Sequence, residues 1–145
     1  MTDDSELSMC LLHGLVDDSV PEELEEFEDT GKQKLYMDNI AKYYRDWFMS
    51  QPFDIGNNTT VALKPLVKKC KAKRAIKVSA KENKASLSNG AMMRCMPMAV
   101  YTSALKPEEA KEIMLKEISM SHPNLAVQDT VYLYQVAIHY LLNNP

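Results

Sequence analysis

Glycine is scarce in this chain, four in 145 residues, so no glycine-rich segment can be hidden in it. Cysteine is sparse as well, and odd in number. Cys10, Cys70 and Cys95 show no CxxC spacing, which suggests neither a disulfide framework nor a structural zinc site and fits a reducing, cytoplasmic compartment. The most apolar stretch, residues 136–142, is too short and too broken to span a bilayer, and Thr2, Asp3 and Asp4 make no basic leader after Met1. No segment of useful length alternates with the period of a strand, and no internal repeat is present. The net charge is only −3, which argues against bulk attraction to nucleic acid or to an anionic membrane.

What is present is a 46% hydrophobic chain of single-domain size, able to bury roughly two-thirds of its unfolded surface. Its apolar residues recur at helical spacing. Leu7, Leu11, Leu12 and Leu15 mark a first helix, with Asp3 or Asp4 placed to cap it and Gly14 near its stop. Tyr36, Ile40, Tyr43, Tyr44 and Trp47 mark one face of a helix of about four turns, with Asp38 on its polar side. Pro52 and Gly56 predict a loop in which Gly56 supplies a positive φ, and Thr59 or Thr60 caps a helix burying Leu63, Leu66, Val67 and Cys70. Pro97 kinks or restarts a helix, and Pro107 opens one that buries Ile113, Met114 and Ile118. A last helix from about Asn124 is expected to bury Val127, Val131, Tyr134, Ile138 and Leu141 or Leu142.

Two charge runs interrupt this pattern. The acidic stretch from Asp17 to Asp29 reads as a solvated connection or a short polar helix. Residues 64–84 hold nine basic side chains with no aromatic among them, so base stacking is unsupported and a solvated face is the expectation.

Four polar islands fall where helices begin or end, so that their side chains and free N–H groups can converge on one cleft. They are Thr2-Asp3-Asp4-Ser5, Asp54-Ile55-Gly56-Asn57, residues 88–94 (Ser-Asn-Gly-Ala-Met-Met-Arg), and Ser121-His122-Pro123. Taken singly, the aspartates are caps, Asp54 and Asn57 turn formers, and His122 a polar residue before a proline. In this order and spelling they resemble the ADP-ribosylglycohydrolase family, over nearly the whole chain.

The resemblance implies an all-α, compact orthogonal multi-helix domain, a cleft for ADP-ribose, and a pair of Mg²⁺ or Mn²⁺ ions. It implies that Thr2, Asp3 and Asp4 are metal ligands, hard oxygen donors of the kind those cations prefer. By the same resemblance Asp3, Asp4 and Asp54 are catalytic. Gly56, Asn57, Ser88, Asn89, Gly90, Ala91, Met92, Arg94 and His122 bind substrate. The implied reaction hydrolyses the glycosidic bond between ADP-ribose and an acceptor side chain of an ADP-ribosylated protein. Neither nucleic acid nor membrane is implied as a partner.

Two parts of the family pattern are absent: a glycine-rich helix before Thr-Asp-Asp and a Gly-Gly-Asp-Thr-Asp-Thr-like segment near the end. Two aspartates and a threonine are too few to hold two divalent cations against hydration. Residues 1–145 are therefore expected to be a single partial domain, truncated at both ends. The alternative is a catalytically inactive relative, acting as an ADP-ribose-binding or helical interaction module.

Overall fold

The computed structural model describes residues 2–21, 28–29 and 34–145. Among these, seven helices follow one another: α1 (Asp3–Val16), α2 (Met37–Met49), α3 (Asn57–Lys68), α4 (Ala72–Glu82), α5 (Met96–Thr102), α6 (Pro107–Ser119) and α7 (Leu125–Asn143). The all-α expectation holds apart from one minimal ladder, in which β1 (Glu28–Asp29) pairs antiparallel with β2 (Lys34–Leu35). Of the acidic stretch, residues 17–21 form an irregular connection and 28–29 a two-residue strand; residues 22–27 lie outside the described residues.

Helix α1 packs on α2, α2 on α3, α3 on α4, and α5 on both α1 and α7. The leucine stripe of α1 and the Ile40, Tyr44 and Trp47 face of α2 meet in one core with Leu63, Leu66, Met98, Ile113 and Met114. Gly14 stands near the end of α1, as expected, with Val16 the last helical residue. The glycine lies buried inside the helix, where a Cβ would stand 2.6 Å from Ile40 Cα, so its missing side chain sets the approach of α1 to α2. Leu12 and Val67, expected inward, are exposed.

The loop after α2 differs from expectation in a second way. Gly56 has φ −67°, an ordinary value, and the positive φ falls on Gln51 instead, at 57°. Gln51 follows the C-cap Ser50, the position where a helix commonly ends in a left-handed residue. Asp38 is no idle surface residue either. Its carboxylate takes a hydrogen bond from Ala72 N at the start of α4 (2.8 Å) and an ion pair from the buried Lys71 (3.1 Å). Lys71 is thus the exception to the solvated basic run, whose other lysines are exposed. On α7, Val127, Val131 and Ile138 are buried, whereas Tyr134, Leu141 and Leu142 are exposed and Gln135 takes an inward position.

Inside the helical core lies a polar centre. Arg94 Nε donates to Glu117 Oε1 (2.9 Å), which also accepts from Tyr44 Oη (2.8 Å), and the guanidinium stands 5.1 Å from the Tyr44 ring centroid. All three side chains are essentially without solvent contact. Burial opposes the charge on Arg94, yet the Glu117 carboxylate beside it holds the guanidinium more firmly protonated than usual.

Two stability changes follow from this packing. Gly14→Ala pushes a methyl into the Ile40 backbone and is expected to cost ~1–3 kcal/mol, read by urea unfolding; a neutral effect would mean the helices part freely. Glu117→Leu leaves a buried guanidinium unpaired and is expected to cost ~3–5 kcal/mol in the same assay. A loss below about 1 kcal/mol would show that Arg94 finds water or another partner.

Candidate functional site

Three of the four islands line one cleft of about 310 Å³: Asp3, then residues 56–59, then residues 88–90 with Met93. Two helix starts face it. Neither the N-cap of α1, Thr2, nor that of α3, Gly56, gives a side-chain capping bond, so their first N–H groups are left for other partners. Asp3 Oδ1 accepts from Asp4 N at 3.1 Å, a contact with the neighbouring residue and not a cap of the first turn. Ser8 ties α1 to the loop carrying residues 88–94, donating to Asp4 O (2.8 Å) and reaching Met93 O (3.4 Å).

The Asp3 carboxyl is pushed above its ordinary range by burial first, then by the negative charges of Asp54 and Asp4. That repulsion places the three carboxyls of the first two islands in one electrostatic neighbourhood. Thr2, Asp4 and Asp54 are exposed at its margin. Among the described residues no group of three or more His, Cys, Asp or Glu side chains closes around one point. The donors present are all hard oxygens, the chemistry a divalent cation such as Mg²⁺ takes, but they make only part of a coordination shell.

The fourth island sits beneath the loop. His122 is wholly buried, and a Cβ on Gly90 would stand 2.9 Å from His122 Cε1 and 3.2 Å from Nε2. Gly90 is therefore required by the imidazole packed against it. Ser121 Oγ and His122 Nδ1 are 2.8 Å apart, and His122 Nε2 and Ser88 Oγ 2.9 Å apart. Burial and then the nearby Arg94 lower His122 to about 3, so the ring is neutral at physiological pH.

Three of the sequence-predicted contact residues turn inward: His122, buried beneath Gly90, and two more. Ala91 is buried under the loop, and Arg94 spends its guanidinium on Glu117, on Gly90 O (2.7 Å) and on Ser121 Oγ (2.7 Å), so it holds the loop from below and does not line the cleft. Met92 lies on the far side of Ser88 and Asn89, in an adjoining hollow of about 250 Å³ with Leu87, Val127 and Val131. The sequence reading missed Asn58, Thr59 and Met93, which line the cleft, and Asn83, a buried clamp donating to Asn58 O and Ser121 O at 2.9 Å each. Asn58 was legible as the next polar residue after Asn57; Asn83 sits among lysines and gave no signal. The cysteines hold no nucleophile at neutral pH in Cys10 or Cys95, whose thiols burial pushes up to about 11 and about 12.

The chain resembles a protein of Acanthamoeba polyphaga mimivirus named "Putative ADP-ribosyl glycohydrolase L543", at 33% identity over 101 residues. That alignment covers 66% of this chain and 29% of the viral protein, so the chain matches less than a third of its relative's length. The sequence model of the ADP-ribosylglycohydrolase family matches residues 1–145, and with the helical fold and the converging islands it places this chain in the ADP-ribosylglycohydrolase family.

Proposed function

We propose that this cleft binds ADP-ribose and belongs to an enzyme that hydrolyses the glycosidic bond between ADP-ribose and an acceptor side chain. The observation that carries the reading is the convergence of Asp3, residues 56–59 and residues 88–90 on one cleft, from positions far apart in the chain. The cleft, lined mainly by Asp, Asn, Ser, Thr and Gly residues, and the hollow, which adds Leu87, Met92, Val127 and Val131, meet at Ser88 and Asn89. This combination suits a ligand with a sugar-phosphate body and a flat ring, the hollow taking the adenine against Val127 and Val131.

In the proposed reaction a water oxygen bonds to C1″ of the ribose as the bond from C1″ to the acceptor breaks. One carboxylate of the Asp3 and Asp54 pair takes a proton from the water, the acceptor takes one from solvent as it leaves, and the carboxyl then returns its proton to solvent. Burial and its neighbours raise Asp3, which makes its carboxylate a better proton acceptor than an ordinary aspartate. The residues fit a divalent cation held in part by Thr2, Asp3 and Asp4, whose crowded negative charge such an ion relieves. A bound Mg²⁺ or Mn²⁺ supplies Lewis acidity toward ribose hydroxyls and water. The N–H groups at the start of α3 and the amides of Asn57 and Asn89 orient the ligand's oxygens.

Asp3→Asn separates catalysis from capping in the whole gene product that carries this chain. Release of ADP-ribose from an ADP-ribosylated protein is expected to fall by about a hundredfold or more, because a hard ligand and a base are both lost. The folded state raises the Asp3 carboxyl, so the ionised form destabilises the fold at neutral pH and the protonated form does not. Without metal, the variant's Tm is therefore unchanged or higher at pH 7, and the difference closes as pH falls through the carboxylate range. Near-normal activity in Asp3→Asn, with a silent Asp129→Asn control, would make this island a pair of surface aspartates. ADP-ribose binding without turnover would instead favour a reader.

Gly90→Val tests the loop. A branched side chain there must displace His122 and with it Ser88, so ADP-ribose affinity measured by calorimetry is expected to drop at least about tenfold while Mg²⁺ affinity holds. Unchanged ADP-ribose affinity would remove residues 88–90 from the ligand site.

A further inference from the structure

A chain of hydrogen bonds runs from the buried core to the cleft, and the donor count along it fixes its direction. Arg94 can only donate, so Ser121 Oγ accepts from its Nη2 (2.7 Å). Ser121 then has one hydrogen of its own, and the acceptor 2.8 Å away is His122 Nδ1. A neutral imidazole that accepts at Nδ1 carries its hydrogen on Nε2, which donates to Ser88 Oγ at 2.9 Å. The opposite polarity would put two donors on Ser121 Oγ and leave that hydroxyl's hydrogen without a recorded acceptor in a buried site.

At Ser88 a second donor arrives, the Asn58 amide at 2.7 Å. Both lone pairs of the Ser88 oxygen are then engaged, and its hydrogen is left to give. Ser86 Oγ, 3.4 Å away, is the donor in its contact with Ser88 Oγ and already accepts from the Asn58 amide and from Ser88 N, so it offers the Ser88 hydrogen no lone pair. Ser88 borders both the cleft and the adjoining hollow and is exposed.

We infer that Ser121, acting through His122, is a positioning residue that fixes the Ser88 hydroxyl as a hydrogen-bond donor into the cleft, where it takes an oxygen acceptor of the ligand. The acceptor's identity, a phosphate oxygen, rests on the ADP-ribose reading; the direction of the relay does not. A ligand that offers a donor to Ser88 meets no free lone pair there, so the relay selects for an acceptor at this edge. The neutrality of His122, pushed to about 3 by burial and then by Arg94, keeps one tautomer in place across the physiological range.

The test combines a spectroscopic and a binding measurement on the whole gene product. Long-range ¹H–¹⁵N spectra, with His122 assigned by its absence from His122→Asn, are expected to show hydrogen on Nε2 and none on Nδ1 at neutral pH. Ser121→Ala is expected to lose that preference, and Ser121→Thr, which keeps the hydroxyl, to restore it. With ADP-ribose as the probe, Ser88→Ala and Ser121→Ala should each weaken binding about tenfold, and the double variant should bind no worse than Ser88→Ala alone. Additive losses, or a His122 protonated on Nδ1, would overturn the relay. If the wild-type protein binds no ADP-ribose, the glycohydrolase reading fails, and the tautomer alone decides: Nε2–H that depends on Ser121 upholds the relay, and Nδ1–H ends it.

Discussion

The rest of the site depends on one buried ion pair, Arg94 with Glu117. A pair without solvent contact gains little net stability, because desolvation of both charges consumes most of the attraction between them. What it supplies is direction. Arg94 has more donors than Glu117 can take, and the surplus goes to Gly90 O and Ser121 Oγ, one atom on each of two islands separated in the chain. A planar guanidinium does this with fixed angles, where a lysine ammonium would leave the two islands free to turn relative to each other. Among the described residues Glu117 Oε2 and the buried Gln135 amide have no hydrogen-bond partner, so the ion pair itself is not fully satisfied.

At the cleft itself the same economy is reversed. Helices α1 and α3 both begin at the cleft, and neither N-cap residue, Thr2 or Gly56, makes a side-chain capping bond. Asp3 is held where its neighbours repel it. Crowded carboxyls are a cost to the empty fold, and the first two islands bring theirs together at this hollow.

Much of this was legible in the sequence because helical period and motif spelling are local signals. The buried faces of α1, α2 and α6 follow from Leu7, Tyr44 and Ile113 and their repeats, and the islands were marked by breaks in those repeats. What was not legible depends on how elements meet. Gly14 marks the end of α1 in the sequence, but its close approach to Ile40 shows only when α1 meets α2, and Gly56 reads as a turn glycine until the positive φ is found on Gln51. The stripe of α7 is apolar on several faces, so period alone could not choose Gln135 over Tyr134 as the inward residue. Arg94 shared a motif with residues that line the cleft, and only its partners show that it works from beneath.

The route from Arg94 to Ser88 also explains why neutral groups stand between them. A cationic side chain placed directly at the cleft would pair with the crowded carboxyls and neutralise them. Serine and a neutral histidine carry the polarising effect of the buried guanidinium outward as an ordered series of O–H and N–H dipoles, each strengthening the next in a low-dielectric surround. The charge stays in the core, compensated by Glu117, and the cleft receives a directed donor without a net positive charge. That division keeps positive charge away from Asp3, whose carboxyl is already raised by burial and by the charges of Asp54 and Asp4.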